Sequence, residues 1–249
     1  MSKKRLDQIL VDRGLAESRA KAQALVLAGL VYAGEKRLDK PGTPTPEDLA
    51  IEVRGQPHPW VSRGGVKLAH ALAHFALDSK DAVAIDVGAS TGGFTDVLLA
   101  NGAARVYAVD VGQGQLAWKL RTDKRVVVLE KTNARRLSAA EIPEPIDLVV
   151  CDASFIGLET VLPAALALLK IGGALVALIK PQFEVGPTRV GKGGVVRDAA
   201  LHDEVCARIA AWLPTQGLEV LGIEPSPILG PEGNREFLVA ARKTAQPRT

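Results

Sequence analysis

The stretch Ala82-Val-Ala-Ile-Asp86-Val-Gly88-Ala89-Ser90-Thr-Gly92-Gly93-Phe94-Thr95 decides the fold. Apolar or small residues lead into Asp86, a Gly/Ser/Thr-rich turn follows, and Phe94, Val97, Leu98 and Leu99 then recur at helical spacing. That is a buried strand, a tight turn and a helix start, the place where an open α/β sheet holds a nucleotide-like ligand. Glycines let backbone approach a ligand, and a helix start leaves N–H groups unpaired. The pattern Asp86-x-Gly88-x-Ser90-x-Gly92-Gly93 breaks G-x-G-x-x-G at its second glycine and lacks the Lys-Ser/Thr of a P-loop. A plain βα turn with a capping Ser or Thr would also produce it.

Downstream the same unit recurs. Arg105-Val-Tyr-Ala-Val-Asp110 reads as a second strand whose terminal acid suits the two hydroxyls of a ribose, with Val111 beside it. Val126–Glu130 is a third strand, followed by Asn133 in a βα turn, where Asn is also ordinary turn chemistry. Ile146–Asp152 is a fourth, followed by Ala153-Ser-Phe155. A helix over 158–170, a strand over 174–179 ending at Lys180, and a glycine-rich loop at 191–196 expected to border the site come next. A helix over about 198–213 and strands at 218–224 and 236–241 close the chain. Five strand–helix alternations and a closing pair of strands predict an α/β doubly wound sheet with a reversed last strand.

The amino-terminal quarter differs in character. Nine Lys/Arg fall in residues 1–40 against five acids, so a basic head precedes a body with a slight acidic excess. That asymmetry suits a polyanion contact, although a solvated helix face carries the same charge. Leu6, Ile9 and Leu10 share one helical face before Gly14; a second helix runs from an N-cap at Ser18 to Gly29. A short strand at 30–33, a turn at Gly34-Glu35 and a strand at 49–53 follow. In order, Arg5-Leu-Asp, Gly14, Ser18-Arg19, Ala22 and Gly29-Leu-Val-Tyr-Ala-Gly34 resemble the RNA-binding module of the fourth small-subunit ribosomal protein. The resemblance implies a small α+β domain over 1–56, with Arg5, Arg19, Lys21, Lys36 and Arg37 facing RNA phosphates. The Pro-rich residues 57–63 read as a linker, 64–244 as the large domain and 245–249 as a tail.

Four ionisable residues punctuate the large domain: Lys67 near a helix start, Asp152 and Lys180 ending apolar strands, and Glu236 opening the last strand. A lysine at a sheet's carboxyl edge, short of water and near a second lysine, is driven toward the neutral amine that could take a proton from an alcohol. Asp152 and Glu236 would orient the two lysines; singly, each residue is more often part of an ordinary ion pair. His70 and His74 stand at i,i+4, a metal-ligand spacing, yet the sequence offers no third ligand and no metal is expected.

Asp86 followed by glycines resembles motif I of S-adenosylmethionine-dependent methyltransferases, in which the carboxylate faces the cationic end of the cofactor. Lys67, Asp152, Lys180 and Glu236 match the Lys–Asp–Lys–Glu tetrad of FtsJ-like ribose 2′-O-methyltransferases. Together with Ser62-Arg63-Gly-Gly-Val-Lys-Leu68, Cys151-Asp-Ala-Ser-Phe155, Lys180-Pro-Gln-Phe183 and the amino-terminal module, they resemble the TlyA (haemolysin A-like) family over about residues 3–243. The resemblance implies a class I, Rossmann-like domain that uses S-adenosylmethionine to methylate cytidine 2′-hydroxyls of ribosomal RNA within ribosomal subunits in the cytoplasm. It implies cofactor contacts from Asp86, Gly88, Ala89, Ser90, Gly92, Gly93, Phe94, Asp110, Val111, Asn133, Asp152 and Phe155. It places Asn133 on the adenine amino group, Phe155 beside cofactor or target base, Arg63 toward RNA, and the linker near Trp60-Val61 in the cofactor site. The family linker often reads Arg-x-Trp-Val, and here His58 takes the place of that Arg.

Other classes fit less well. Base-nitrogen methyltransferases carry Asn/Asp-Pro-Pro-Tyr/Phe where this chain has Asp152-Ala-Ser-Phe155. No apolar run approaches the roughly 20 residues of a membrane span, and no signal-peptide core follows Met1. A lytic protein therefore rests on the family's older label alone. A non-catalytic RNA-binding factor would explain the head and leave the tetrad idle. Cys151 and Cys206 have neither disulfide nor metal spacing and read as buried thiols.

Overall fold

The computed structural model describes residues 3–16, 18–54 and 58–245. The chain divides after Pro57 into an amino-terminal unit and a larger unit, His58–Thr249.

In the first unit, β1 (Lys3–Arg5), α1 (Leu6–Asp12), α2 (Arg19–Leu27), β2 (Val31–Ala33), β3 (Lys36–Arg37), β4 (Pro44–Pro46) and β5 (Glu52–Val53) follow in order. The side chain of Ser18 accepts the Lys21 N–H and caps α2. Leu6 and Leu10, one turn apart, meet Ala22, Leu25 and Val26 across the helix pair and close a core on Val31. β2 lies between β3 and β5, and β1 pairs with β4. β1 (Lys-Lys-Arg), β3 (Lys-Arg) and β4 (Pro-Thr-Pro) carry none of the β-branched or aromatic apolar residues that mark a strand, which is why they are absent from the sequence reading. Asp7 is fully buried and accepts hydrogen bonds from Arg5 (3.0 and 2.8 Å), Arg19 (3.4 Å) and Gln23 (2.8 Å). These donors hold its carboxyl well below the usual carboxylate range, the Arg5 bonds most of all.

The second unit runs α3 (Gly64–His74), β6 (Val83–Val87), α4 (Gly93–Ala100), β7 (Arg105–Val109), α5 (Trp118–Arg121), β8 (Val126–Leu129), β9 (Ile146–Cys151), α6 (Leu158–Val161), α7 (Pro163–Leu168), β10 (Leu169–Ile179), α8 (Pro181–Glu184), α9 (Ala199–Thr215), β11 (Leu218–Pro225) and β12 (Phe237–Lys243). The seven strands form one sheet in the order β11-β12-β10-β9-β6-β7-β8. β12 is antiparallel to both neighbours and the other adjacent pairs are parallel. This is the doubly wound α/β sheet with a reversed last strand that the element pattern predicts.

Alternation along the strands builds the two faces. Ile85, Val87, Val149, Leu175, Ala177, Ile179 and Val239 point to a core shared with α6, α7 and α9. Ala84, Leu148, Val150, Val176, Leu178 and Leu238 point to the other, shared with α3 and α4. Strands buried on both faces read as unbroken apolar runs, which is how the sequence shows them. One expectation needs correction. The helix expected over 158–170 is two short helices meeting at Leu162-Pro163, because Pro opens a helix well and cannot continue one. The helix near whose start Lys67 is expected begins at Gly64, which puts Lys67 within its first turn.

Candidate active site

The topology explains why residues distant in sequence converge. Asp86 lies near the end of β6, Asp110, Asp152 and Lys180 directly follow β7, β9 and β10, and these strands run parallel, so their ends share one sheet edge. β12 runs the other way, with Phe237 opposite Ile179, so Glu236 enters at that same edge. α3 packs on α4 and delivers Lys67 from above the sheet.

The four side chains form one cluster. Lys180 Nζ lies 2.7 Å from Asp152 Oδ1 and 2.9 Å from both the Asp152 carbonyl and Ser154 Oγ. Lys67 Nζ lies 3.9 Å from Asp152 Oδ2 and donates to Glu236 Oε2 at 2.5 Å. Asp152 thus stands between the two amines, one oxygen toward each. Both lysine side chains are 7 % exposed and Glu236 is fully buried. In so little water, each charge depends on its partner rather than on solvent.

Two adjoining cavities open beside the cluster, sharing Gly88, Ser90, Asp152 and Ser154. The smaller, about 290 Å³, is lined by Lys67, Lys180, Asp86 and the turn residues Ala89, Gly93 and Phe94, with Ser62, Arg63 and Gly64 opposite. The larger, about 350 Å³, is lined by Asp110, Val111, Asn133 and Phe155, together with Gln115 and Thr132. Gly88 is required by shape: its φ is +81°, and a Cβ there would stand 2.9 Å from Ala153 Cα. Ser90 (φ 48°) and Phe155 (φ 65°) hold left-handed backbone without being glycine, a strain that gathers at ligand sites.

Asp86 is fully buried. Its Oδ2 accepts the Thr95 N–H (2.9 Å) and hydroxyl (2.7 Å), while Oδ1 has no partner among the described residues. Burial pushes its pKa up to about 7 against the lowering effect of the Thr95 bonds. A carboxylate with an orphaned oxygen on a cavity wall is short of a cation. Asp110 is held by the Ser90 and Gly112 N–H groups (2.8 and 2.7 Å), so the turn and the next strand's acid are tied together. Asn133 Oδ1 caps the short turn after it, accepting from Arg135 N and Nε (3.1 and 3.2 Å). Phe155 is 88 % exposed, its ring 5.0 Å from that of Phe183.

Some expected positions stand elsewhere. Gly92 lines neither cavity; a Cβ there would run into Leu120 and Leu116, so its glycine serves packing. The glycine-rich loop at 191–196 borders neither, because Asn234 ties it down through Val196 N–H (3.1 Å) and the Gly194 carbonyl (3.0 Å). Trp60 packs on Gly65, where a Cβ would lie 2.3 Å from its ring, and Val61 N–H donates to Asp96 at 2.8 Å. Ser62 and Arg63 are the residues of that segment that reach a cavity. Cys151 and Cys206 are free thiols pushed up by burial to about 12 and 11. Ser62, Gln115, Thr132 and Ser154 have no role in the sequence reading, since small polar residues in turns carry no pattern of their own; Ser62 and Ser154 sit inside quoted motifs.

Of the expected RNA contacts in the first unit, Lys21 and Lys36 are exposed with no ion-pair partner among the described residues. Arg5 and Arg19 are drawn onto Asp7, and Arg37 pairs with Asp39 at 2.5 Å, with more than half of each side chain still exposed. In the second unit, Arg63 donates to the Leu229 carbonyl at 2.8 Å.

Comparison with known proteins agrees with this fold. Residues 60–243 match the FtsJ-like methyltransferase family and residues 4–47 the S4 domain. The chain is 47% identical over 239 residues to the 16S/23S rRNA (cytidine-2′-O)-methyltransferase TlyA of Mycobacterium tuberculosis, covering 96% of this chain and 89% of that one. It is 38% identical to Hemolysin A of Brachyspira hyodysenteriae, covering 94% and 98%. A solved structure from Streptococcus thermophilus, described provisionally as a hemolysin, is 44% identical with a TM-score of 0.78, covering 99% and 90%. No helix among the described residues is long and apolar enough to cross a membrane. With an FtsJ-like domain across most of its length and an S4 domain ahead of it, the chain belongs to the TlyA family of FtsJ-like methyltransferases.

Proposed function

We propose that the protein methylates the 2′-hydroxyl of cytidine in ribosomal RNA, within ribosomal subunits in the cytoplasm, using S-adenosylmethionine, with Lys180 receiving the hydroxyl proton. The observation that carries this reading is the cluster at the sheet edge: Lys180 and Lys67 on opposite oxygens of Asp152, with Glu236 buried behind Lys67. The name of the 47%-identical relative points to the same reaction and base.

The residues present suit the cofactor. Asp86 offers an orphaned carboxylate oxygen to a cationic amino group; Asp110 has lone pairs left for ribose hydroxyls, and Val111 and Asn133 flank the same cavity. S-adenosylmethionine would supply an electrophilic methyl group on sulfur. Lys180 Nζ, as the amine, accepts the proton of the attacking hydroxyl, and Asp152 Oδ1 and Ser154 Oγ keep it aimed. Lys67 stays paired to Glu236 and holds the far oxygen of Asp152, so the carboxylate cannot swing away. Phe155 and Phe183 present an exposed aromatic face suited to a splayed base. Lys21 and Lys36 would meet phosphates and position the RNA without reading its sequence.

The test is transfer of tritiated methyl into purified subunits from a strain lacking the enzyme, followed by mapping of the labelled ribose. Label on a cytidine 2′-oxygen is expected. Lys180→Met should abolish transfer and keep most cofactor affinity, measured by titration with S-adenosylhomocysteine. Turnover retained in Lys180→Met would remove Lys180 as proton acceptor. Label on a base nitrogen, or RNA binding with no label at all, would overturn the reaction itself.

A further inference from the structure

Toward the other end of α3 from Lys67, tertiary structure completes a group that the sequence leaves one ligand short. His70 and His74 stack one helical turn apart, ring centroids 5.8 Å apart and planes 26° off parallel. Glu224, some 150 residues on, projects from β11 beside them, its Oε2 3.8 Å from His74 Nε2. One ligating atom from each of the three lies within 4.8 Å of the other two. The 3.8 Å separation is too long for a direct hydrogen bond. His70 Nε2 is buried and has no hydrogen-bond partner among the described residues.

We propose that His70, His74 and Glu224 form a binding site for a divalent transition-metal ion, zinc by ligand type. Two imidazoles and a carboxylate form a three-ligand zinc set that leaves the fourth position to water. Ligand atoms about 3.3 Å apart fit around a tetrahedral zinc at bond lengths near 2.0–2.1 Å, so the three groups need to close by at most about 1.5 Å. Side-chain rotation supplies that, since His74 and Glu224 are 43 % and 34 % exposed. The bare site leaves the buried His70 nitrogen unsatisfied, and a metal ion removes that cost.

The position gives the ion a mechanical role. Lys67, His70 and His74 share one stripe of α3. Glu224 is paired across the sheet with Leu238, two residues beyond Glu236. An ion bridging α3 to β11 therefore fastens the helix that carries Lys67 to the strand pair that carries Glu236. The site does not touch the cavities beside the tetrad, so its ligands can be changed without removing a group from them.

Tag-free full-length protein, stripped with EDTA, is titrated with Co²⁺ and then Zn²⁺. One equivalent of Co²⁺ giving the intense visible bands of four-coordinate cobalt, displaced by Zn²⁺, is expected. Zinc at about a hundred times its Kd should raise the melting temperature of the tryptophan-containing unit by about 5–10 °C. His74→Gln and Glu224→Gln should each weaken Zn²⁺ binding at least tenfold while melting in EDTA like the parent; His74→Gln changes an exposed side chain and is the safer fold control. Cobalt bands of sulfur charge transfer, affinity unchanged in both variants, or zinc binding that leaves melting unaltered would each overturn the proposal.

Discussion

Changing Asp86 to Asn should stabilise the protein at alkaline pH relative to acid pH while weakening its hold on the cofactor. The folded protein raises the Asp86 pKa from 3.8 to about 7 by burial. Between those values the folded state holds a proton that the unfolded chain has released, so the stability of the wild type falls as pH rises through that window. At about 1.4 kcal/mol per unit, the carboxyl costs the fold about 4 kcal/mol at pH 8 and less than half of that at pH 5. Asn removes this pH-dependent cost and introduces a fixed one, a buried amide N–H without an acceptor, worth about 1–3 kcal/mol. The fixed term cancels when the variant-minus-parent difference is compared at two pH values. That difference should grow by roughly 2–3 kcal/mol in favour of Asn from pH 5 to pH 8. Trp60, Trp118 and Trp212 all lie in the second unit, so urea unfolding followed by tryptophan fluorescence reports that unit alone. A variant-minus-parent difference equal at both pH values would refute the placement of a strained carboxyl at Asp86.

The same carboxyl should make cofactor binding pH-dependent: a cationic ligand favours the ionised form, so affinity for S-adenosylmethionine should fall about 20-fold from pH 7.5 to 5.5 in calorimetric titrations, and Asp86→Asn should flatten the profile. Glu236→Gln strips Lys67 of its 2.5 Å partner in a site with little water. It should cost about 3–5 kcal/mol in urea unfolding, with Lys67→Met added to it restoring most of the loss. Removing residues 1–57 should leave cofactor affinity within twofold and sharply reduce methyl transfer to ribosomal subunits in the tritium assay. Asp7→Asn should destabilise the first unit at neutral pH by about 1–3 kcal/mol, with the gap closing as pH falls below about 4, because the carboxylate's contribution is itself lost there; amide exchange of residues in α1 and α2 measures it.

Much of this molecule is legible in one dimension because its central strands are buried on both faces. Such strands read as unbroken apolar runs, and their ends are marked by whatever polar residue comes next; Asp86, Asp110, Asp152 and Lys180 are each the first charge at or beside the end of a strand. Sequence therefore determines the strand–turn–helix at 82–95, the order of α and β elements and the basic head. It also determines the candidates for the site, since ligand-facing residues of a parallel sheet must lie at those ends. What it leaves open is every relation that depends on which strand lies beside which. Only the pairing of β12 antiparallel to β10 puts Glu236 at the edge with Lys180, and only the packing of α3 brings Lys67 to Glu236 and Asp152. Tertiary structure alone shows that a side chain at Gly92 would run into Leu120 and Leu116 and that Asn234 ties down the 191–196 loop. It alone brings Glu224 to the two histidines of α3. Local pattern records what a residue's chain neighbours require of it; a side chain's partner across the sheet is set by topology, which no short window of sequence contains.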